Sequence, residues 1–584
     1  MPTRWQSVLF QVKALGFRAK RFLLNLEGGA PRRFVKKEIL PQPLSTVEVR
    51  SPLYGSNQPA EFALQAGKVQ NLRVAARALR GLLIPAGRVF SFWAHVPRPS
   101  RRRGFALGRE LREGCVIPNI GGGLCQLSNA LYDAALQAGF EIVERHGHSR
   151  RLPGSSAVAG RDATVFWNYV DLRFRVPTDT QIEVRLTGDE LVLRFHALSA
   201  IHQFGLHEMQ PHLETAWNDH PVESCEICGM TRCFRNPSAA ALPSRGITAW
   251  LLDAFQPEFD AWVSKEIRKQ DWQFIPLNSR RFRVGGYRWT TLGKVKQSPI
   301  VVLRRSLLSR RRAAQGAARQ RALLQMDAEL AESYARRLPP LADHLVISQN
   351  LLPILWQRGD LGGRSFDVLM TRLPLGELQK TLDRAAAAHP ESRTLGDFRA
   401  PRSFVEAEAE ALAAARHWIT PHSAIARLAG PRAIKLPWQL PKVPPAQPGS
   451  WVIFPASTLG RKGAWELREL ARDTGLPIRL CGPVLETPDF WEGVRTERSS
   501  DNWLHGARAV VLPAWVEHQS RRLLQAVAAG VPVIASDACG MEAVPGVTTI
   551  PTGDVAALHD ALFPSPRSDA NVAGDKFHLA ICDA

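Results

Sequence analysis

Cysteine is scarce in this chain: eight in 584 residues, scattered except for three between positions 225 and 233. That is too few for a disulfide-stapled scaffold and points to a reducing compartment. Nowhere do about 18 apolar residues follow one another, which argues against a membrane-spanning helix. The basic N-terminus is not followed by an apolar run with a small-residue cleavage site, so no secretory signal is read. A cytoplasmic protein is expected. There is no internal repeat, and no recognisable nucleic-acid module accompanies the net charge of +21, so nucleic acid is not expected as a partner. The excess of 75 Lys and Arg over 54 Asp and Glu points to an anionic partner such as lipid headgroups or sugar phosphates, or else reflects an arginine-rich genome.

What is present divides the chain into several folding units, as its length requires. Residues 1–45 form a basic amphipathic segment. Trp5, Val8, Leu9, Val12, Leu15, Phe22 and Leu26 recur at helical spacing among Arg4, Lys13, Arg18, Lys20 and Arg21. Such a helix either lies on an anionic membrane surface, peripheral at its inner face, or packs its apolar stripe on the protein. Residues 46–200 mix helix and short strands, the pattern of an α+β domain, and Ile182–Leu186 and Leu191–Phe195 read as a hairpin. A His- and Cys-bearing connector covers 201–240. From 241 to 438 short apolar runs alternate with helices in the manner of βαβ units, with strands expected at 247–252, 300–303, 345–348, 368–370 and 418–419. A Pro-rich linker at 439–449 precedes a second αβ series over 450–570, and a tail, 571–584, ends the chain.

Gly121-Gly122-Gly123-Leu124-Cys125-Gln126 precedes a helical stretch. Three glycines free the backbone for an unusual turn and place Cys125 at a helix start, where the dipole and free N–H groups favour a thiolate and an oxyanion. A strand follows and leads to His146 and His148, with Asp162 and Asp171 beyond. A cysteine at a helix start, a histidine from a following strand and an acid to orient it make the layout of papain-like and transglutaminase-like thiol enzymes. The alternative is a glycine turn beside a buried structural cysteine. Over about residues 70–200 the chain also resembles the VanW family of vancomycin-resistance accessory proteins. The resemblance runs through Asn71, Pro85-Ala86-Gly87, Phe90-Ser91-Phe92, Gly121 to Gln126, Leu131-Tyr132, Glu144-Arg145, His148-Ser149, Gly160 to Val165 and Asp171-Leu172. It implies cell-envelope biology and supplies no mechanism.

In the connector, Cys225, Cys228 and Cys233 with His220 have the composition of a structural Cys₃His zinc site, or of a reduced cysteine cluster.

In the second αβ series a strand ends at Pro455 to Gly460, and Arg461-Lys462-Gly463 opens a helix, a placement suited to a diphosphate. Further on come a strand, Glu517, a helix from Ser520 to Ala529, and Gly530 to Ser536. With Gly540, Glu542 and Asp554, this resembles the donor-binding half of the retaining group 1 glycosyltransferases of GT-B fold. The resemblance implies a multidomain chain in which the α+β domain precedes two Rossmann-like halves. It implies a hexosyltransferase that takes a nucleotide-sugar donor to a glycan or lipid-linked acceptor and requires no cofactor. It assigns Arg461 and Lys462 to the donor diphosphate and Glu517 to the donor sugar. The family's second glutamate, the ribose contact, falls at Gln525, which carries no charge, so the chain reads either as a transferase or as an inactive glycan-binding scaffold.

Overall fold

The computed structural model describes residues 4–27, 31–38, 43–55, 61–112, 115–148, 160–197, 246–278, 287–311, 317–396, 399–499 and 502–564. Cys225, Cys228, Cys233 and His220 lie outside the described residues. The chain forms two compact units, 1–370 with 400–419, and 371–399 with 420–584.

The first unit begins with helix α1 (Arg4–Glu27). Its packed stripe is Ala14, Arg18, Arg21 and Asn25: Arg18 Nε donates to the Trp167 carbonyl at 3.0 Å, Arg21 pairs with Glu144, and Asn25 Oδ1 accepts from Arg173. The large apolar residues Trp5, Val8, Leu9, Val12, Leu15 and Phe22 are all exposed, Trp5 to 82%. At about 100° per residue they cluster opposite the packed stripe. Among the described residues nothing covers these side chains.

The α+β domain is built on an antiparallel sheet of β1 (Ser45–Pro52), β9 (Glu190–Ala197), β8 (Thr180–Leu186) and β2 (Leu82–Ile84), in that spatial order. The β8–β9 hairpin has the expected position and pairs Leu186 with Leu191 across the turn. Helix α2 (Phe62–Leu79) and helix α4 (Cys125–Gln137) belong to the same domain. A second small sheet joins β3 (Val89–Ser91), β7 (Arg173–Arg175) and β6 (Glu141–Glu144), and β4 (Leu107–Arg112) pairs with β5 (Cys115–Ile120). Helix α3 (Phe92–His95) is capped by Ser91, whose Oγ accepts from the Ala94 amide. Phe174 stacks on Phe90 and Phe140 with ring centroids 4.7 and 5.8 Å apart, and these fully or nearly buried rings, with Phe195 and Tyr132, fill the core. Burial of each such ring contributes on the order of 2–3 kcal/mol.

The rest of this unit is a parallel sheet. β10 (Ile247–Leu251), β11 (Trp272–Ile275), β12 (Lys294–Gln297), β13 (Ala342–Ser348), β14 (Ser365–Leu369) and β15 (Trp418–Thr420) run in the order β12-β11-β10-β13-β14-β15. Residues 300–303, expected as a strand, lie instead in a helix, Pro299–Arg311. Pro299 sets the first helical turn, and Ile300 (81%) and Leu303 (62%) are exposed while Val302 is buried. A short apolar run does not distinguish the two structures by itself. The α+β domain is fastened to this sheet through the loop before β14: Arg73 Nε donates to the Gly362 carbonyl at 2.6 Å and Tyr54 Oη to that of Gly363 at 2.9 Å.

In the second unit, β16 (Ala433–Lys435) precedes a parallel sheet of β17 (Pro448–Phe454), β18 (Ile478–Leu480), β19 (Thr496–Arg498), β20 (Ala507–Leu512), β21 (Val533–Ser536) and β22 (Val547–Ile550). The order is β19-β18-β17-β20-β21-β22. Taken in sequence, both parallel sheets read 3-2-1-4-5-6, the doubly wound order in which the strand direction of winding reverses beside the first strand. The chain is thus an α+β domain followed by two Rossmann-like halves.

Candidate functional site

The glycine turn that precedes α4 is fixed from below by Asn71 of α2. Its amide nitrogen donates to the Gly122 carbonyl at 2.8 Å and to that of Ala106 at 3.1 Å, and its oxygen accepts from the Ala106 amide. Only glycine fits at 123: φ is +94°, and a Cβ there would lie 2.0 Å from Cγ of Lys68. The turn delivers Cys125 to the first position of α4, half-buried, with Sγ 4.0 Å from the Val165 carbonyl.

His148 and Asp162 meet there. His148 Nδ1 lies 2.7 Å from Asp162 Oδ2, the same oxygen accepts from the His148 amide at 2.6 Å, and Arg145 holds Oδ1 at 2.8 Å. Burial by itself lowers the basicity of the His148 imidazole, but hydrogen bonds to Asp162 and to the Cys125 thiol outweigh it and push the pKa up to about 10. Burial of the Asp162 carboxyl is likewise outweighed by His148 and Arg145, which hold it below the usual carboxylate range. Asp162 thus holds the His148 ring, and Cys125 and His148 line one cavity of about 630 Å³. Phe10, Ala14 and Arg18 of α1 form part of its wall, and Trp93 and Trp167 another.

The other two candidates go elsewhere. His146 is half-exposed with Nε2 3.2 Å from Glu144 Oε1. Asp171 accepts from Ser91 Oγ at 2.6 Å and pairs with Arg173 at 2.9 Å, tying β3 to β7. Sequence reasoning passed over Arg145, Thr164 and Lys68. Arg145 and Thr164 stood inside the Glu144-Arg145 and Gly160 to Val165 motifs, whereas nothing in the local sequence of α2 marks Lys68.

In the second unit, Gly460-Arg461-Lys462 make one 3₁₀ turn after β17, and the helix Ala464–Thr474 follows. Gly463 has φ +76°, and a Cβ there would lie 2.0 Å from the Pro513 carbonyl oxygen, so the turn presses on the end of β20. The Arg461 carbonyl accepts from the Trp515 and Val516 amides, both at 3.1 Å. Lys462 Nζ reaches Glu517 Oε2 at 2.8 Å and the Val516 carbonyl at 3.0 Å. Burial of Glu517 is opposed by Lys462, which keeps its carboxyl below the ordinary value. Buried His422, its basicity lowered by desolvation, lies with Nε2 3.0 Å from the Glu517 carbonyl and 3.2 Å from that of Ala538. Arg461, Lys462 and Glu517 are thus brought together. Gln525 sits half-buried on the helix Arg521–Ala528, and among the described residues no hydrogen bond joins its side chain to them.

Among the described residues no group of three or more His, Cys, Asp or Glu is placed to hold a metal ion. No helix among them is long and apolar enough to cross a membrane.

Residues 67–196 match the family described as VanW like protein, and residues 464–563 match glycosyl transferases group 1. The chain therefore carries a VanW-like domain and a group 1 glycosyltransferase domain. It is 34% identical over 151 residues to the vancomycin B-type resistance protein VanW of Enterococcus faecalis, covering 25% of this chain and 55% of that protein. It is 30% identical over 133 residues to the uncharacterized protein YoaR of Bacillus subtilis, covering 22% of this chain and 43% of that one. The chain spans about half the length of these curated relatives. Among solved structures, a sucrose-phosphate synthase from Thermosynechococcus elongatus aligns at 13% identity over 55% of this chain and 89% of its own, with a TM-score of 0.35.

Proposed function

We propose that the VanW-like domain is a thiol-dependent acyl-transfer enzyme of cell-envelope metabolism. The observation that carries this is that Cys125 and His148 line one cavity while Asp162, held by Arg145, fixes the His148 ring from behind. Cys125 Sγ, its proton resting on His148, adds to an acyl carbon. The addition gives a tetrahedral oxyanion at the cavity wall. On collapse the bond from carbon to the leaving nitrogen or oxygen breaks, and that atom takes the proton from His148. Water or an acceptor amine then adds to the thioester while giving a proton back to His148, and the carbon–sulfur bond breaks. Asp162 fixes the ring and stabilises its charge, and Arg145 fixes Asp162. The test is the burst of p-nitrophenol released from p-nitrophenyl acetate, with mass spectrometry to locate the acyl group. Acylation of Cys125, lost in Cys125→Ser and strongly slowed in His148→Ala, is expected. A burst that survives Cys125→Ser sinks the reading.

The group 1 domain carries a second reading, that it binds a nucleotide-sugar donor for transfer to a glycan or lipid-linked acceptor without a metal. Arg461 and Lys462 beside a helix start support it, since paired cations there suit a diphosphate. Glu517 next to Lys462 would face the donor sugar. Calorimetric titration with a panel of nucleoside-diphosphate sugars tests this, and absence of binding by every donor refutes it.

The exposed apolar face of α1 supports peripheral docking on an anionic bilayer. Exposed Lys13 and Lys20 lie beside that face, so charge and apolar burial act together. Co-sedimentation with phosphatidylglycerol vesicles and not with neutral phosphatidylcholine vesicles is expected, and Leu9→Glu with Val12→Glu abolishes it. Equal sedimentation of the variant overturns it.

A further inference from the structure

Among the Lys and Arg side chains that line the cavity, Lys68 is the buried one. It projects from α2, is only 9% exposed, and no carboxylate pairs with it among the described residues. The charged group nearest in effect is Arg109, itself a cation, held by Glu61 at 3.3 Å. Burying an ammonium without an acid is costly unless a ligand completes it. Burial, together with Arg109, brings its pKa down to about 7, as expected of a cation waiting for a negative charge. The stem is not there by default, because Gly123, two residues before the nucleophile, leaves the space it occupies. Two further residues of the cavity lining each hold a buried polar atom with no hydrogen-bond partner, Gln126 Oε1 and Thr164 Oγ1. By contrast Arg18 and Arg161 are spent, on the Trp167 carbonyl and on Asp133.

We infer that the Cys125 cavity selects acyl substrates that carry a carboxylate close to the reacting carbonyl, with Lys68 as the group that reads it and Arg109 reinforcing the field. A peptide with a free C-terminal carboxylate, or with an acidic residue beside the scissile bond, has this chemistry. The inference rests on the thiol reading of the site and adds substrate class to it.

The experiment uses the full chain and two alkylating probes of similar size, anionic iodoacetate and neutral iodoacetamide, with the rate at Cys125 read by mass spectrometry. The ratio of the iodoacetate rate to the iodoacetamide rate is expected to fall about tenfold in Lys68→Met and to persist in Lys68→Arg, which keeps the charge. At matched ionic strength, acetate is expected to slow alkylation by iodoacetamide in the wild type, and inorganic phosphate to leave it unchanged. If Cys125 reacts with neither probe, the thiol reading itself fails. If it reacts but the ratio is the same in wild type and Lys68→Met, the thiol reading stands and the carboxylate subsite is wrong. Protection by phosphate alone overturns the carboxylate in favour of a phosphoryl group.

Discussion

The cavity at Cys125 and the turn at Lys462 treat their charges in opposite ways. Around Cys125 a chain of partnered groups ends at a cavity lined by buried Lys68, which no carboxylate pairs among the described residues, and by Gln126 and Thr164, whose Oε1 and Oγ1 have no hydrogen-bond partner. At Lys462 the cation is already matched by Glu517 at 2.8 Å and by a backbone carbonyl. The first arrangement is incomplete without a ligand. In the second, a ligand must compete with an ion pair already formed, so binding there costs the partial loss of that pair. A motif's distinctiveness in sequence therefore says little about how far its site is poised for a ligand.

The comparison breaks most sharply at Asp162. Asp162→Asn removes the group that orients and charges His148, and is expected to slow acylation of Cys125 by about 100-fold or more. The same variant has a signature in stability. Folded His148 holds its proton up to about pH 10, whereas in the unfolded chain it releases it near 6.5. Its stabilising contribution is thus complete below about pH 6.5 and is lost as pH rises toward 10. Urea midpoints at several pH values in that window are expected to converge for wild type and Asp162→Asn as pH rises, and a constant gap would contradict the raised pKa.

In the other region the effects are smaller. Lys462→Ala and Arg461→Ala are each expected to weaken nucleotide-sugar binding about tenfold at low salt and less at high salt, as for contacts to phosphate oxygens. Unchanged titrations in both variants would remove the diphosphate assignment. Glu517→Gln frees Lys462, and about a threefold gain in affinity for a nucleoside diphosphate lacking its sugar is expected, against a loss if Glu517 itself bound the nucleotide. Gln525→Glu is expected to be neutral or to tighten donor binding by a similarly small factor, measured by the same titration.

Much of this was legible in the residues. The Gly121 to Gln126 turn marked a cysteine at a helix start, the alternation from residue 246 marked parallel sheets, and the resemblance to group 1 glycosyltransferases assigned Arg461, Lys462 and Glu517 to one donor site. What was not legible had a common cause. His146 and His148 stand only two residues apart, and which ring is turned to the cavity is decided by Asp162, whose Oδ2 takes both the amide and the ring of His148. Residues 300–303 misled because Ile300 and Leu303 stand in solvent while only Val302 is buried, a division no short apolar run reveals. In α1 the pattern showed an apolar stripe but not which side the domain would take.

The sequence by itself determined the elements that depend on neighbours along the chain: the hairpin Ile182–Leu186 with Leu191–Phe195, the glycine turn, and the strand-turn-helix units, because turn chemistry and side-chain period act over a few residues. Only the tertiary structure decided which titratable groups share one cavity. Lys68, on α2, precedes Cys125 by 57 residues, and His148 follows it by 23. Their effects on charge depend on distance and burial in space, which the linear order of the residues does not encode.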